Sequence, residues 1–434
     1  MANAFSKEER VAFEDILEGF NDALVLSRNV SIYNTDQTMM ERTNNVIWRP
    51  QPYIAQSFGG SPFITDMTGN FKDYTQLSVP ATISINRSVP WIMSALELRD
   101  ALQEGRLADA AKQKLASDIN IQIMNVAALQ GTLVVTTSSF TGFDEIAACD
   151  TIMNEQGVQM FDRYIALASS VYNSMASNLA GGGANRSFGG NKSNIAYERA
   201  FVGDVAGFQT YKLDYANRIA AAAGAGDTIN TTLAGGNNYI PQATDTAATG
   251  ETENVDNRFQ TVTVNNTTGV VAGDCFTIGT SATSADGVYA VHHITKQSTG
   301  NLKTFRVISV PSATSLVISP PIISNISTSD AAAQYQNVRI GTTGAAVPIN
   351  YINTAASPIN PFWQKDSLEI LPGRFAVPSD AGTAVMRGAT DQGIELVMQK
   401  FYDINTMKIK FRLDTVFGVV NKQPEMSGIL IQVS

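Results

Sequence analysis

The sequence predicts a mixed α+β protein of more than one domain, with an all-β module set into its middle. Three observations carry this reading. An apolar stripe recurs at steps of three or four from Glu104 to Gln130 and predicts one long helix. Between about residues 224 and 349, short alternating segments rich in Thr, Val, Ser, Gly and Asn follow one another, as in a β-barrel. Helical or mixed patterning stands on both sides of that run, so the module is an insertion into a larger unit. At 434 residues the chain also exceeds a single ordinary core.

Each element can be read in turn. Ser6-Lys7-Glu8-Glu9 is a capping box opening a helix with Phe13, Ile16, Leu17, Phe20 and Leu24 on one face. A terminal stripe of this kind docks on its own domain or on a neighbour. From Asn45 to Pro90 broken strands appear, and Gly59-Gly60 and Gly69-Asn70 mark Phe58 to Thr75 as an extended hairpin or loop. In the long helix the stripe is Leu107, Ala111, Leu115, Ile119, Ile123, Val126 and Leu129, with Gly131 as its stop. Leu133-Val134-Val135 reads as a strand, and helices are expected over Glu145–Gln156 and Phe161–Asn178. Ala220–Gly226 is linker-like. The module's strands are expected at Phe259–Val264, Cys275–Ile278, Gly287–Ile294, Thr304–Ser309 and Ser315–Ile318. Beyond Trp363, Glu395–Phe401 is helical or extended and Met407–Val420 forms strands.

Composition narrows the function classes. The formal net charge is −9, and tight binding of nucleic acid over a whole surface needs clustered Lys and Arg instead. Hydrophobic residues make up 44% and charged residues 16%, which suits a folded chain. Cys149 and Cys275 alone do not make a disulfide framework and fit a reducing compartment. The first ten residues carry no apolar secretion segment, and no apolar run is long enough for a bilayer.

The chemistry-bearing residues are sparse. His292 and His293 are neighbours on an expected strand, so they point to opposite faces and do not share a metal. Gly190-Asn191-Lys192-Ser193 misses the phosphate-loop pattern, because Asn191 separates Gly from Lys. Asp245, Glu251 and Glu253 cluster on the loop Pro241–Asn254. Two carboxylates suffice for glycoside hydrolysis. This loop, however, has no aromatic to hold a sugar and no apolar wall to raise a carboxyl pKa. No catalytic, cofactor-binding or metal residue is assigned. The loop reads as solvated or as a charged contact.

A family resemblance runs collinearly along almost the whole chain. It begins with Asn45-x-Ile47-Trp48-x-Pro50 and Leu98-Arg99-Asp100. It continues through Leu115-Ala116, Asn125-x-Ala127-Ala128, Gly131-x-Leu133-Val134-x-Thr136 and Val205-Ala206-Gly207-Phe208. Its strongest stretch is Val255-Asp256-Asn257-Arg258-Phe259 with Thr261-Val262-Thr263, Thr267-Thr268-Gly269 and Gly273-Asp274. Phe362-Trp363, Asp403-Ile404-x-Thr406, Phe417-Gly418-Val419, Pro424-Glu425 and Gly428 complete it. On these residues the sequence resembles the major coat proteins of short-tailed podoviruses of the P-22 type.

The resemblance implies the Hong Kong 97-like capsid fold. Residues 1–40 would be an N-terminal arm, 41–90 an extended loop (E-loop) with flanking strands, and 91–131 a P-domain with its spine helix. Residues 132–223 would open an A-domain, 224–349 form an inserted Greek-key β-barrel, and 350–434 complete the A- and P-domains. The implied function is self-assembly, with a scaffolding protein, into a procapsid that expands on DNA packaging. Implied partners are the chain itself as hexamers and pentamers, the scaffolding and portal proteins, and packaged double-stranded DNA held non-specifically, with no membrane. Assembly would take place in the host cytoplasm and the product is the virion capsid. Asp245, Glu251 and Glu253 are then expected to meet a neighbour across a two-fold axis, and Phe13, Leu17 and Phe20 to clamp another subunit. Two other classes stay open: a receptor-binding or adhesin-like surface protein, and a carbohydrate-active enzyme using Asp245 with Glu251 or Glu253.

Overall fold

A computed structural model describes residues 7–33, 46–52, 54–57, 66–68, 71–94, 101–180, 195–196, 199–200, 202–232, 237–279, 286–375 and 384–433. They fall into two compact units, one of residues 1–48, 80–126 and 368–420, the other of 49–79, 127–367 and 421–434. Ser6, the Gly59-Gly60 and Gly69-Asn70 turns, and the glycine-rich stretch with Gly190 and Lys192 lie outside the described residues.

The first unit is built on one sheet. Strand Lys408–Asn421 is its axis, paired antiparallel with Glu395–Asp403 on one side and Ile85–Ser94 on the other. Ala384–Ala389 extends one edge, and Leu368–Pro372 carries Ser31–Ile32 in parallel at the other. Part of the expected arm is therefore a sheet strand. Helix α1, Lys7–Ala23, lays its stripe on Ala384–Ala389. Gly388 makes the close approach possible: a Cβ there would sit 2.7 Å from Leu17 Cδ2 and 3.1 Å from Phe13 Cε1. Phe13, Ile16, Phe20 and Leu24 are buried and Leu17 is half-buried. An ion pair from Lys400 to Glu9 and a bond from Asn21 to Asp391 at 2.8 Å close the contact. The stripe expected to clamp a neighbour is covered inside one subunit, because its own sheet offers an apolar face.

Helix α2, Ala101–Gln130, is the long helix, roughly 45 Å at 1.5 Å per residue. Ala108, Ala111, Leu115, Ala116, Ile119, Ile123, Met124, Ala127 and Ala128 are buried along it, while Leu107 and Leu129 are exposed. The buried row passes to Ala127 and Ala128 in the last turn, where small residues fit under the following strands. Gly131 does not have the positive φ of a helix stop. It is glycine because a Cβ there would meet the Ala127 carbonyl oxygen at 2.9 Å and the Gly428 backbone nitrogen at 3.0 Å.

The second unit holds a six-stranded main sheet in the order Leu133–Thr137, Ser427–Gln432, Asn360–Gln364, Arg163–Ala168, Phe208–Leu213 and Asp204–Val205. Helices α3, Phe143–Gln156, and α4, Ser169–Ala180, share a core with it through Ile146, Cys149, Met153, Val171, Tyr172 and Met175. Alternate residues Val134, Ile429 and Ile431 face a second cluster with Cys275. The helix expected over Phe161–Asn178 is in fact a strand followed by a helix. All six residues of Arg163–Ala168 are buried, so the strand shows none of the alternation that would mark it. Arg163 is tolerated there because it donates to the Gln159 carbonyl at 2.8 Å and the Val158 carbonyl at 2.6 Å, and pairs with Asp150.

The inserted module is a closed barrel. Its strands run Thr228–Ile229, Val347–Tyr351, Cys275–Ile278, Thr304–Ser312, Ser315–Ser319 and Gln260–Thr263, and a bridge from Val264 to Ile229 brings the last edge back to the first. A three-stranded sheet of Ser298–Leu302, Val288–Val291 and Val338–Ile340 and a short helix α5, Asp330–Tyr335, complete it. Val262, Val264, Phe276, Ile278, Phe305, Val307, Leu316 and Ile318 fill the interior, with Phe276 stacked on Phe305 at 5.5 Å. The first and last strands pair, Thr228 with Pro348 and Ile229 with Val347, so the chain leaves beside the point where it came in. The described end of Phe58–Thr75 rests on α5: Tyr335 donates to the Thr75 carbonyl at 2.8 Å, and Lys72 pairs with Asp330 at 3.1 Å.

Candidate assembly surfaces

The acidic loop is a β-hairpin rather than a loose loop. Thr244–Thr246 and Thr252–Asn254 pair antiparallel, with Asp245 directly opposite Glu253. Ala247 donates to the Glu251 carbonyl and Gly250 to the Ala247 carbonyl, both at 2.8 Å, and Gly250 takes φ +88°. That is a type I turn followed by a glycine bulge, the usual three-residue hairpin connection. Every residue of both short strands is exposed. An isolated two-stranded ribbon is marginal on its own, and like charges face each other across this one.

Its root is what keeps it in place. Asn257 is buried and makes four bonds: it accepts from Tyr239 Oη at 2.9 Å and Gln242 N at 3.0 Å, and donates to the carbonyls of Gln242 at 2.8 Å and Val255 at 3.0 Å. One amide side chain thus ties both legs of the hairpin together. Arg258 forms a fork on Asp256, Nε to Oδ1 at 2.9 Å and Nη2 to Oδ2 at 2.6 Å, and its Nη1 donates to the Asn421 carbonyl at 2.9 Å. The Asp256-Asn257-Arg258 run is the anchor of an exposed acidic ribbon, a role that its sequence alone did not disclose.

A second constellation lies where the barrel meets the main sheet. Lys303, 1% exposed, donates from Nζ to Gln156 Oε1 at 2.9 Å and to Glu425 Oε1 at 2.6 Å. Asn337 Nδ2 donates to the same Glu425 oxygen at 3.2 Å. Next along the strand, Thr304 Oγ1 donates to the Thr132 carbonyl at 2.7 Å, and Arg306 Nη1 reaches the Gly131 carbonyl at 3.4 Å. Burial opposes ionisation of Glu425, yet Lys303, His293 and Asn337 together hold its carboxyl below the usual range. Burial pushes His293 down to about 4, with Lys296, Lys303 and His292 adding to the effect and Glu425 opposing it. The sequence singled out Glu425 only within the family resemblance, and Lys303 not at all.

The remaining candidates are structural. The strand before the histidines ends at Val291, so His292 and His293 occupy a turn instead of a strand. His292 Nδ1 accepts from the backbone of Ile294 at 3.3 Å and Thr295 at 3.2 Å, and a Cβ on Gly157 would lie 2.8 Å from its ring. Cys149 and Cys275 are free and buried, and burial raises both thiol pKa values. Among the described residues no group of three or more His, Cys, Asp and Glu could hold a metal ion. No helix among them is long and apolar enough to cross a membrane.

A long helix, a sheet bearing a helical arm, an α/β core and an inserted closed barrel define the class: a bacteriophage major capsid protein with the Hong Kong 97-like fold. Residues 1–432 match the family model described as P22 coat protein, gene protein 5, and the chain belongs to that family. It is a structural family whose members build the virion shell from copies of themselves. Among solved structures, the chain is similar to one of Mycobacterium phage Che8 at 9% identity and TM-score 0.44, over 94% of this chain and 90% of that one. It is similar to the bacteriophage PhiM1 mature capsid at 11% identity and TM-score 0.44, over 100% of this chain and 88% of that one. The CUS-3 coat protein I-domain is 33% identical at TM-score 0.20, over 29% of this chain and 94% of that one.

Proposed function

We propose that this chain assembles with a scaffolding protein into an icosahedral procapsid of hexamers and pentamers, which expands as double-stranded DNA is packaged through a portal. Assembly takes place in the cytoplasm of the bacterial host, and the shell holds DNA only non-specifically, as its acidic balance suits. The inserted barrel projects the hairpin Thr244–Asn254 onto a neighbouring subunit. The observation that carries this reading is a fully exposed acidic ribbon whose root is fastened by the buried Asn257. A feature held so firmly, whose two strands none of the described residues cover, suits contact with another copy. The hairpin Thr244–Asn254 contains no Lys or Arg, so the neighbour supplies the cations.

Catalysis by Asp245, Glu251 and Glu253 has nothing to support it, since a solvated ribbon offers no wall to exclude water or hold a substrate. Each exposed pair contributes only about 0.2–1 kcal/mol, but the shell repeats the contact at each symmetry-related position. The triple variant Asp245→Ala, Glu251→Ala, Glu253→Ala should therefore fold normally yet give fewer closed particles, or tubes and aberrant shells, when expressed with scaffolding protein. Added salt should lower the wild-type yield toward that of the variant and change the variant less, because screening weakens pairs that only the wild type has. Particles of wild-type shape and yield at both low and high salt would remove the hairpin from the contact.

A further inference from the structure

Buried charge at the barrel–sheet seam invites a question that shell building leaves unanswered. Lys303 and Arg306 are both essentially inaccessible, at 1% and 0%. Buried cations persist where they are paired or where a dipole compensates them. Lys303 has Glu425 and Gln156, and Arg306 sits at the carbonyl end of α2 through Gly131. His293 stands at the same place. Its backbone N–H donates to the Gln156 carbonyl at 3.0 Å. His293 lines a cavity of about 70 Å³ together with Glu425, Asn337, Gln156 and Arg258. The charged or titratable groups facing His293 are Glu425, Lys303, Lys296 and His292. Arg258, on the cavity wall, is already bonded to Asp256.

We propose that Lys303, Glu425 and His293 form an acid-released latch that holds the inserted barrel on the main sheet. At neutral pH the Lys303 ammonium is paired with the Glu425 carboxylate, Lys296 is a second cation nearby, and the His293 imidazole is neutral. A proton added to His293 places a new positive charge beside Lys303 and Lys296. A proton added to Glu425 removes the anion that binds Lys303. Both changes have the same sign. The His293 pKa is lowered from 6.5 to about 4, so its contribution is whole above 6.5 and is lost as pH falls toward about 4. The Glu425 pKa is also lowered, so its contribution is present above the ordinary value of 4.5 and lost as pH falls through its depressed value. The barrel interior and the helix–sheet core are apolar clusters that do not titrate in this way. Acid therefore loosens the seam before it unfolds either part.

Hydrogen–deuterium exchange on the full-length monomer tests this, with rates corrected for the intrinsic pH dependence. Between about pH 7.5 and about pH 5, peptides covering 287–304 and 153–158 should exchange about tenfold faster or more, the order that a lowered His pKa delivers. The barrel strand Cys275–Ile278 should keep its protection over that range. His293→Gln should flatten the response, and near-UV circular dichroism will show whether this variant folds. If it does not, the wild-type pH series decides by itself. Seam rates independent of pH, a core strand that opens together with the seam, or a folded His293→Gln variant that tracks wild type would each overturn the latch.

Discussion

Lys303→Met removes the charge from the seam while keeping nearly the same length and volume. The ammonium makes two bonds, to Gln156 Oε1 at 2.9 Å and Glu425 Oε1 at 2.6 Å. A bond to a charged group is worth about 1.5–3 kcal/mol, and stranding one partner of a buried ion pair costs about 3–5 kcal/mol. Glu425 would keep its bond from Asn337, and its side chain is 25% exposed, so water can partly solvate the stranded carboxylate. The loss should fall at the low end, about 3 kcal/mol. Equilibrium urea unfolding of the full chain, followed by far-UV circular dichroism, measures it for Lys303→Met, Glu425→Met and the double variant. Replacing both partners with apolar groups is often nearly neutral, so the double variant should lie within about 1 kcal/mol of wild type. If the two single losses instead add in the double variant, the pair is not coupled and the seam argument fails.

Phe20→Ala removes a 0% exposed ring from the contact of α1 with its sheet and should cost about 3–5 kcal/mol of subunit stability in a chemical melt. A subunit of unchanged stability that merely fails to assemble would return the helix to the role of an intersubunit clamp. Gly428→Ala would bring a methyl within 2.3 Å of the Leu133 carbonyl oxygen and 2.5 Å of Phe362 Cζ. It should lower stability by about 1–3 kcal/mol or more, and an unchanged melting temperature would show that the strands can move apart.

What the sequence disclosed follows from how local each signal is. The spine helix has an unbroken period, and the expected stripe departs at its two ends, with Leu107 and Leu129 exposed and Ala108, Ala127 and Ala128 buried. The barrel strand Gln260–Thr263 alternates buried and exposed as its residues suggest. Arg163–Ala168 escaped because a strand covered on both faces has no period two to detect. Gly131 was legible as a special position but not for the right reason: the constraint is the close approach of the Ala127 carbonyl and of Gly428, far along the chain, not a left-handed turn. Asn257 lay inside the most distinctive sequence run, yet the bonds that give it a role include Gln242, 15 residues away. Lys303 and Glu425 are separated by 122 residues, and a single Lys beside a strand reads as solvated until its partner is brought to it. Periodicity reveals elements, whereas pairings across long sequence distances become visible only with the fold.

The central claim is that this chain builds a closed shell in which the hairpin Thr244–Asn254 bridges neighbouring subunits. Cryo-electron microscopy of particles made by expressing the chain with its scaffolding protein tests it most directly. A closed icosahedral map should be obtained, with the ribbon bearing Asp245, Glu251 and Glu253 against Lys or Arg side chains of an adjacent subunit. Shells in which the ribbon projects into solvent, or only small soluble oligomers, would contradict it.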